Sequence, residues 1–188
     1  MKVIGIVGSP RKNGNTEIIL AHTLKAISEE GVETELIRLA GKDIRPCNAC
    51  GACRNDKDCP IDDDFLPVFE KMKAADGIIL GSPVYFGSAT ALIKGLIERA
   101  GFSSGSRRLF RGKVGGSIVT ARRAGNNFTL SQLNFWFQIM DMIMPGSTYW
   151  NIAYGREKGE VNNDTEGMNT AWHFGKNVAS LVKKMPLV

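Results

Sequence analysis

Outside a window of thirteen residues the chain has no cysteine: Cys47, Cys50, Cys53 and Cys59 are the only four in 188 residues. Histidine is almost as scarce. His22 and His173 fall inside helical patterns without acidic or cysteine neighbours, so both read as structural. No Ser/His/Asp arrangement is present and no side chain stands out as a general base, which predicts no protein catalytic group. No apolar run approaches the roughly 20 residues needed to span a bilayer. The opening "MKVIGIVGSPRKNGNT" turns polar too soon for a signal peptide. These absences predict a cytoplasmic protein that does not enter a membrane, where a disulfide framework would be out of place. There is also no repeat, low-complexity tract or linker. The length therefore predicts one domain over 1–188, with a cysteine loop at 45–60.

Carboxylates are missing from a further stretch. Between Arg99 and Gly125 lie Arg99, Arg107, Arg108, Arg111, Lys113, Arg122 and Arg123 with no Asp or Glu, in a chain of formal charge +5. This is a local basic region and no nucleic-acid motif accompanies it, so nucleic acid is not an expected partner. A phosphate-bearing small molecule, an acidic protein partner and a solvated loop all suit it.

Hydrophobic periodicity supplies the fold class. "KVIGIV" (2–7) is a short, β-branched run that reads as a buried parallel strand. Apolar residues recur at helical spacing from Thr16 to Glu30, and Gly31 stops that helix. Further strands are predicted at 32–39, 76–83, 113–121 and 147–153. Further helices are predicted from Asp62–Asp64 through about Lys73, at 88–100, at 129–144 ended by Pro145 and Gly146, and at 168–184. Five strands alternating with five helices predict an α/β sheet covered on both faces. The fourth helix carries Phe135, Trp136 and Phe137 in succession, more than one apolar face, which predicts deep burial or a subunit interface.

In such folds ligands sit beyond the carboxyl ends of the strands. The loop after the first strand is "GSPRKNGNT", Gly8 to Thr16. It has neither the Gly-Lys-Ser/Thr of a Walker loop nor the G-x-G-x-x-G of a dinucleotide fold. It offers Ser9, Asn13, Asn15 and Thr16 as hydroxyls and amides, Arg11 as a cation and Gly14 for a turn, at a helix start. That set suits a terminal phosphate monoester, although a plain helix cap would use some of the same residues.

This loop resembles the FMN-phosphate loop of the flavodoxin-like NAD(P)H-dependent FMN reductases. "GSPVYFGSATALIKGLIER" (81–99) is similar to their second flavin loop and the helix after it. The resemblance runs in order along nearly the whole chain. It implies a flavodoxin-like, three-layer sandwich, with a five-stranded parallel sheet of order 2-1-3-4-5, and bound FMN. It also implies that Ser9, Arg11, Gly14, Asn15 and Thr16 hold the phosphate, with Asn13 beside them. Pro83, Val84, Tyr85, Phe86 and Gly87 would line the isoalloxazine ring, although both aromatics equally suit a core. A third loop, "TARRAGNN" (120–127), departs from the Gly-Gly-Gln-Glu-like run common in the family. Thr120, Arg122 and Gly125 are its candidate flavin contacts, and Arg122 and Arg123 equally suit the phosphates of a nicotinamide cofactor or water.

The cysteine spacing is C-x2-C-x2-C-x5-C. Structural zinc sites usually split their ligands into two separated knuckles. Three thiols in seven residues, with Pro60 after the last cysteine, are nearer to ferredoxin spacing, although the x5 gap is not the ferredoxin x3. Ala49, Gly51 and Ala52 are small enough to let a loop close around a metal–sulfur core. On an FMN reductase-like chain this motif resembles the iron–sulfur flavoproteins. The resemblance implies that Cys47, Cys50, Cys53 and Cys59 ligate one [4Fe–4S] cluster per subunit. It also implies a homodimer or homotetramer in which the cluster of one subunit serves the flavin of another. Asp56, Asp58 and Asp62–Asp64 crowd the loop with negative charge, which would lower the cluster potential.

Three functions remain open on the sequence. One is a redox protein using FMN and [4Fe–4S], fed by ferredoxin or another one-electron donor and passing electrons to oxygen, peroxide or a small organic acceptor. The second is an NAD(P)H-dependent FMN, quinone or azo reductase without a cluster. The third is a zinc-bearing nucleic-acid or protein-binding module.

Overall fold

Five parallel strands form one sheet in the order β2-β1-β3-β4-β5. They are β1 (Lys2–Val7), β2 (Glu33–Arg38), β3 (Gly77–Pro83), β4 (Val114–Ala121) and β5 (Ile152–Tyr154) in a computed structural model that describes residues 1–55 and 57–184. Five helices alternate with them: α1 (Asn15–Glu29), α2 (Phe65–Ala74), α3 (Ala91–Ser104), α4 (Asn126–Ile139) and α5 (Thr165–Lys184). Among the described residues no helix is long and apolar enough to cross a membrane.

The period of two along each strand divides the core into two layers. Val3, Val7, Ile79 and Ile118 pack under α1 and α5, against Ile19, Leu20, Leu24, Phe174 and Val178. Ile4, Ile6, Ile78, Leu80 and Val119 point the other way, to α2, α3 and α4, against Phe65, Phe69, Ile93, Leu96, Leu133 and Phe137. Because both faces are covered, the central strands read as unbroken apolar runs. The fold is flavodoxin-like, and its switch point lies between β1 and β3, where the strand order reverses. There Gly8 N–H donates to the Gly81 carbonyl at 2.8 Å, bringing the loops after β1 and β3 together.

Two elements differ from expectation. The fourth helix ends at Ile139, ahead of Pro145, because Asp141 takes φ +59° and reverses the chain. Met142 to Met144 then run back along the sheet. Gly115 N–H donates to the Ile143 carbonyl and Ile143 N–H to the Lys113 carbonyl, each at 2.9 Å. The fifth strand is three residues, Ile152–Tyr154, later and shorter than 147–153. It pairs only with Val119–Ala121. Tyr149 and Trp150, which look like strand residues, stand exposed with ring centroids 5.0 Å apart.

Candidate functional site

At the carboxyl end of the sheet the loops after β1, β3, β4 and β5 enclose a cavity of about 300 Å³. Its floor carries three buried hydroxyls, Ser9, Thr16 and Thr120. Thr16 Oγ1 and Thr120 Oγ1 lie 2.5 Å apart, joining the start of α1 to the end of β4. The α1 N-cap is Gly14, with no side-chain cap, so no side chain competes for the first N–H groups of the helix. An uncapped helix N-terminus, two buried hydroxyls beside it and the Arg11 guanidinium form a fitting cradle for a phosphate dianion.

The loop is held in shape from behind. Asn13, at φ +52°, donates its N–H to Glu17 Oε2 at 2.9 Å. Glu17 Oε1 in turn accepts from Arg38 Nε and Nη2 at 2.9 and 2.7 Å. Burial alone pushes the Glu17 carboxyl up, but Arg38 and the Asn13 N–H outweigh it and hold the group below its ordinary range. Asn15 is turned to structural use as well. Its Nδ2 donates to the Glu157 carbonyl at 2.9 Å, and its Oδ1 accepts from Gly159 N–H at 2.8 Å.

The second loop contributes Pro83, Val84 and Tyr85 to the cavity wall. Phe86 and Gly87 form the two-residue tip of a tight turn. Tyr85 N–H donates to the Ser88 carbonyl at 2.9 Å and Ser88 N–H to the Tyr85 carbonyl at 3.0 Å. Both tip residues have positive φ, +51° and +78°, the geometry of a type I′ turn. This places the Phe86 ring fully in solvent beside the cavity. Gly125 belongs to the same construction. It caps α4 at φ +84°, and a Cβ there would lie 2.9 Å from Val84 Cγ1 and 3.0 Å from Gly87 Cα. Thr120 and Arg122 line the cavity; Asn13, Gly14, Phe86, Gly87 and Gly125 shape its loops from outside.

Ala121, Gly155 and Arg156 also line the cavity, and sequence reasoning did not single them out. The Arg156 carbonyl accepts from Arg11 Nη1 at 3.3 Å, which ties the loop after β5 to the loop after β1. The available signal was positional: a loop leaving the carboxyl end of a parallel strand is on the ligand side. Placing the fifth strand too early hid it.

The four cysteines line a second, smaller cavity of about 80 Å³ together with Arg99, Phe102 and Ser103 of α3. Ala49 at φ +57° and Gly51 at φ +74° turn the chain twice between Cys47 and Cys53. Ala49 N–H donates to Cys47 Sγ at 3.4 Å. Among the described residues no three His, Cys, Asp or Glu side chains are grouped to hold a single metal ion. The four thiols on this cavity are the donor type that holds most iron–sulfur clusters. The loop packs closely on α3 because Gly95 has no side chain; a Cβ there would lie 3.2 Å from the Ile44 carbonyl oxygen. Asp58 is exposed at this loop, and Asp56 lies outside the described residues.

Arg99 is 1% exposed, so the basic run divides in space. Its Nη1 donates to Asp63 Oδ2 at 2.5 Å and to the Arg45 carbonyl at 3.2 Å. Its Nη2 lies 3.3 Å from Cys59 Sγ and 3.3 Å from the Ile61 carbonyl. Asp63 is buried under this guanidinium, and its Oδ1 accepts the N–H of Phe65 at the start of α2 at 3.0 Å. Burial pushes its carboxyl up, yet Arg99 and the N–H groups of Arg45 and Phe65 bring it below its ordinary value. Lys113 donates to the Lys73 and Ala75 carbonyls at 2.6 and 2.5 Å, at the opposite end of β4 from Arg122. Arg108 and Arg111 pair with Asp141, while Arg122 and Arg123 are exposed beyond β4.

Comparison with known proteins agrees with this geometry. Residues 1–157 match the sequence model of the NADPH-dependent FMN reductase family. An iron-sulfur flavoprotein of Methanocaldococcus jannaschii is 44% identical, over 97% of this chain and 98% of its own length. An iron-sulfur flavoprotein of Methanosarcina thermophila is 36% identical, over 97% of this chain and 96% of its own. Among solved structures, an archaeal flavodoxin superposes with a TM-score of 0.66 at 15% identity, covering 97% of this chain and 99% of that one. The chain belongs to the NADPH-dependent FMN reductase family, among its iron–sulfur flavoproteins, and is a flavin-dependent oxidoreductase.

Proposed function

We propose that the protein holds one FMN in the larger cavity and one [4Fe–4S] cluster in the cysteine loop, and moves electrons from a one-electron donor to an oxidised acceptor. The observation that carries this reading is that Cys47, Cys50, Cys53 and Cys59 all line one cavity, on a chain whose phosphate cradle stands at the other end of α3. When bound, FMN and the cluster supply the electron chemistry: the cluster takes electrons singly, and the flavin handles them singly or in pairs.

The chain's own residues bind and orient. Ser9, Thr16, Arg11 and the first N–H groups of α1 would hold the FMN phosphate. Pro83, Val84 and Tyr85 would bound the ring, with Thr120 and Arg122 at its edge. The four thiols would each ligate one iron. Thr90, the α3 N-cap, donates from Oγ1 to the Gly8 carbonyl at 2.5 Å, which fixes α3 to the flavin loops. Arg99, on the same helix, stands nine residues further, about 14 Å of helix rise away.

The donor suited to this surface is a ferredoxin-like protein, and oxygen, peroxide or a small organic molecule suits as acceptor. A homodimer or homotetramer is part of the proposal. Phe128, Phe135 and Ile139 form an exposed apolar stripe along α4, and Phe86 by the flavin cavity and Phe102 by the cysteines are exposed too. Such a stripe fits a second copy of the chain, which would set one subunit's cluster beside another's flavin. One observation favours a second reading, in which NAD(P)H reduces the flavin directly. Arg11, Arg122 and Arg156 line the cavity, more cations than one phosphate needs.

Anaerobic reconstitution followed by iron, sulfide and flavin analysis tests the proposal. Four irons and four sulfides per FMN, in a brown protein absorbing near 400 nm, are expected. A yellow protein without iron would leave the cluster-free reductase, and stoichiometric zinc would overturn the cluster.

A further inference from the structure

We propose that Arg99 is a positioning residue for Cys59 and that it raises the reduction potential of the cluster in the cysteine loop. The proposal rests on the cluster reading above. Arg99 lines the cysteine cavity while being 1% exposed, so its charge is fixed and poorly screened by water. Phe65 holds the guanidinium from one side, its ring centre 4.1 Å from Cζ. Asp63 holds it from another, and Nη2 is left 3.3 Å from the Cys59 sulfur. The Nε–H is buried and, among the described residues, has no hydrogen-bond partner. A guanidinium recruited only to glue Asp63 to the loop would gain nothing from facing a thiol, and buried ion pairs seldom add stability over apolar packing. A donor aimed at a ligand sulfur, by contrast, has an electronic consequence. Taking one electron from the donor adds one negative charge to the cluster. A hydrogen bond to a ligand sulfur and a nearby cation both favour that reduced form. Arg99 therefore offsets the acidic residues of the loop, of which Asp58 and Asp62 lie in the described part.

Two variants separate this role from simple scaffolding. Arg99→Lys keeps a cation against Asp63 but loses the planar fork that reaches Asp63 and Cys59 together. Arg99→Gln/Asp63→Asn removes the pair as a unit and strands no buried charge. Both should keep FMN at wild-type content and still assemble the cluster under anaerobic reconstitution. Potentiometric titration followed by electron paramagnetic resonance should show a more negative cluster midpoint in both, because both lose the guanidinium hydrogen bond to Cys59, with an unmoved flavin midpoint. A wild-type cluster midpoint in either variant would overturn the proposal. So would loss of the cluster or of the fold in Arg99→Lys, which would mark a structural role only. A wild-type chain that takes up no iron would remove the cluster reading itself, a result distinct from an unshifted midpoint.

Discussion

Glu17 is a buried acid outside the cavity lining, yet it decides the shape of the loop after β1. One oxygen accepts the Asn13 N–H at φ +52° and the other accepts the Arg38 fork, so the loop's left-handed residue is tied through Glu17 to β2. Its carboxyl is held below its ordinary value of 4.5. A lowered folded-state pKa means that the ionised group contributes fully above that value and loses its contribution as pH falls towards the folded one. Wild type should thus lose stability as pH falls below about 4.5 more steeply than Glu17→Gln, which should already be weaker by about 1 kcal/mol or more at pH 7. Urea melts across that range measure both. At the cradle itself, Arg11→Ala/Thr16→Ala removes a cation and a hydroxyl. Charge-assisted hydrogen bonds contribute about 1.5–3 kcal/mol each, so FMN affinity should fall by roughly 100- to 10,000-fold. Riboflavin, which lacks the phosphate, should be nearly unaffected in fluorescence titrations. Equal losses for the two flavins would contradict a phosphate cradle at Ser9 to Thr16.

Among the elements, α4 carries both a success and a limit of reading by pattern. Consecutive aromatics at 135–137 mean apolar residues on several sides of the helix. Trp136 and Phe137 are indeed buried, with Trp136 Nε1 donating to the Ile97 carbonyl at 2.8 Å, while Phe135 is left outside. Phe128, Phe135 and Ile139 then repeat at i, i+7 and i+11, one line along the exposed face. Phe135→Glu/Ile139→Glu should split the proposed oligomer while leaving FMN bound, as sedimentation velocity would show. An unchanged sedimentation coefficient would exclude this stripe from the interface. The end of α4 and the place of β5 were not legible for a physical reason. "MDMIM" continues an apolar helical pattern, and only the left-handed Asp141 interrupts it. "STYWNIA" has strand composition, but which of its residues pair is set by the β4 register at Val119–Ala121. β1, α1 and β3 were legible because burial on fixed faces imposes one period on each.

At the scale of the molecule, tertiary placement rewrites charges that look alike in the sequence. Arg99 and Arg108 belong to one basic run, yet the first is buried against Asp63, 36 residues away in the chain, and the second is on the surface with Asp141. No local pattern announces such a partner. What remains on the surface includes Arg54 in the cysteine loop and Arg108, next to Arg107, whose Nη1 lies 4.0 Å from Asp58 of that loop. If an acidic protein donor docks there, its rate of reducing the protein should fall steeply with salt, because screening lengths shrink to about 10 Å at 0.1 M. Arg107→Glu/Arg108→Glu should lower the rate at low salt; a flat salt dependence with an unchanged variant would leave the region a solvated loop.

The loop after β1 and the cysteine motif, by contrast, could be singled out in the sequence because each is contiguous. The two cavities are also built from separate segments, and this separation permits the most direct test. Cys50→Ala, made and reconstituted without oxygen, should lose most of its iron and sulfide while keeping FMN at wild-type content. Stopped-flow traces would then compare flavin reduction by a one-electron protein donor with reduction by dithionite. The account predicts that the first rate collapses and the second is nearly unchanged. A variant with unchanged iron, or one that loses its iron and still accepts electrons from the protein donor at the wild-type rate, would contradict it.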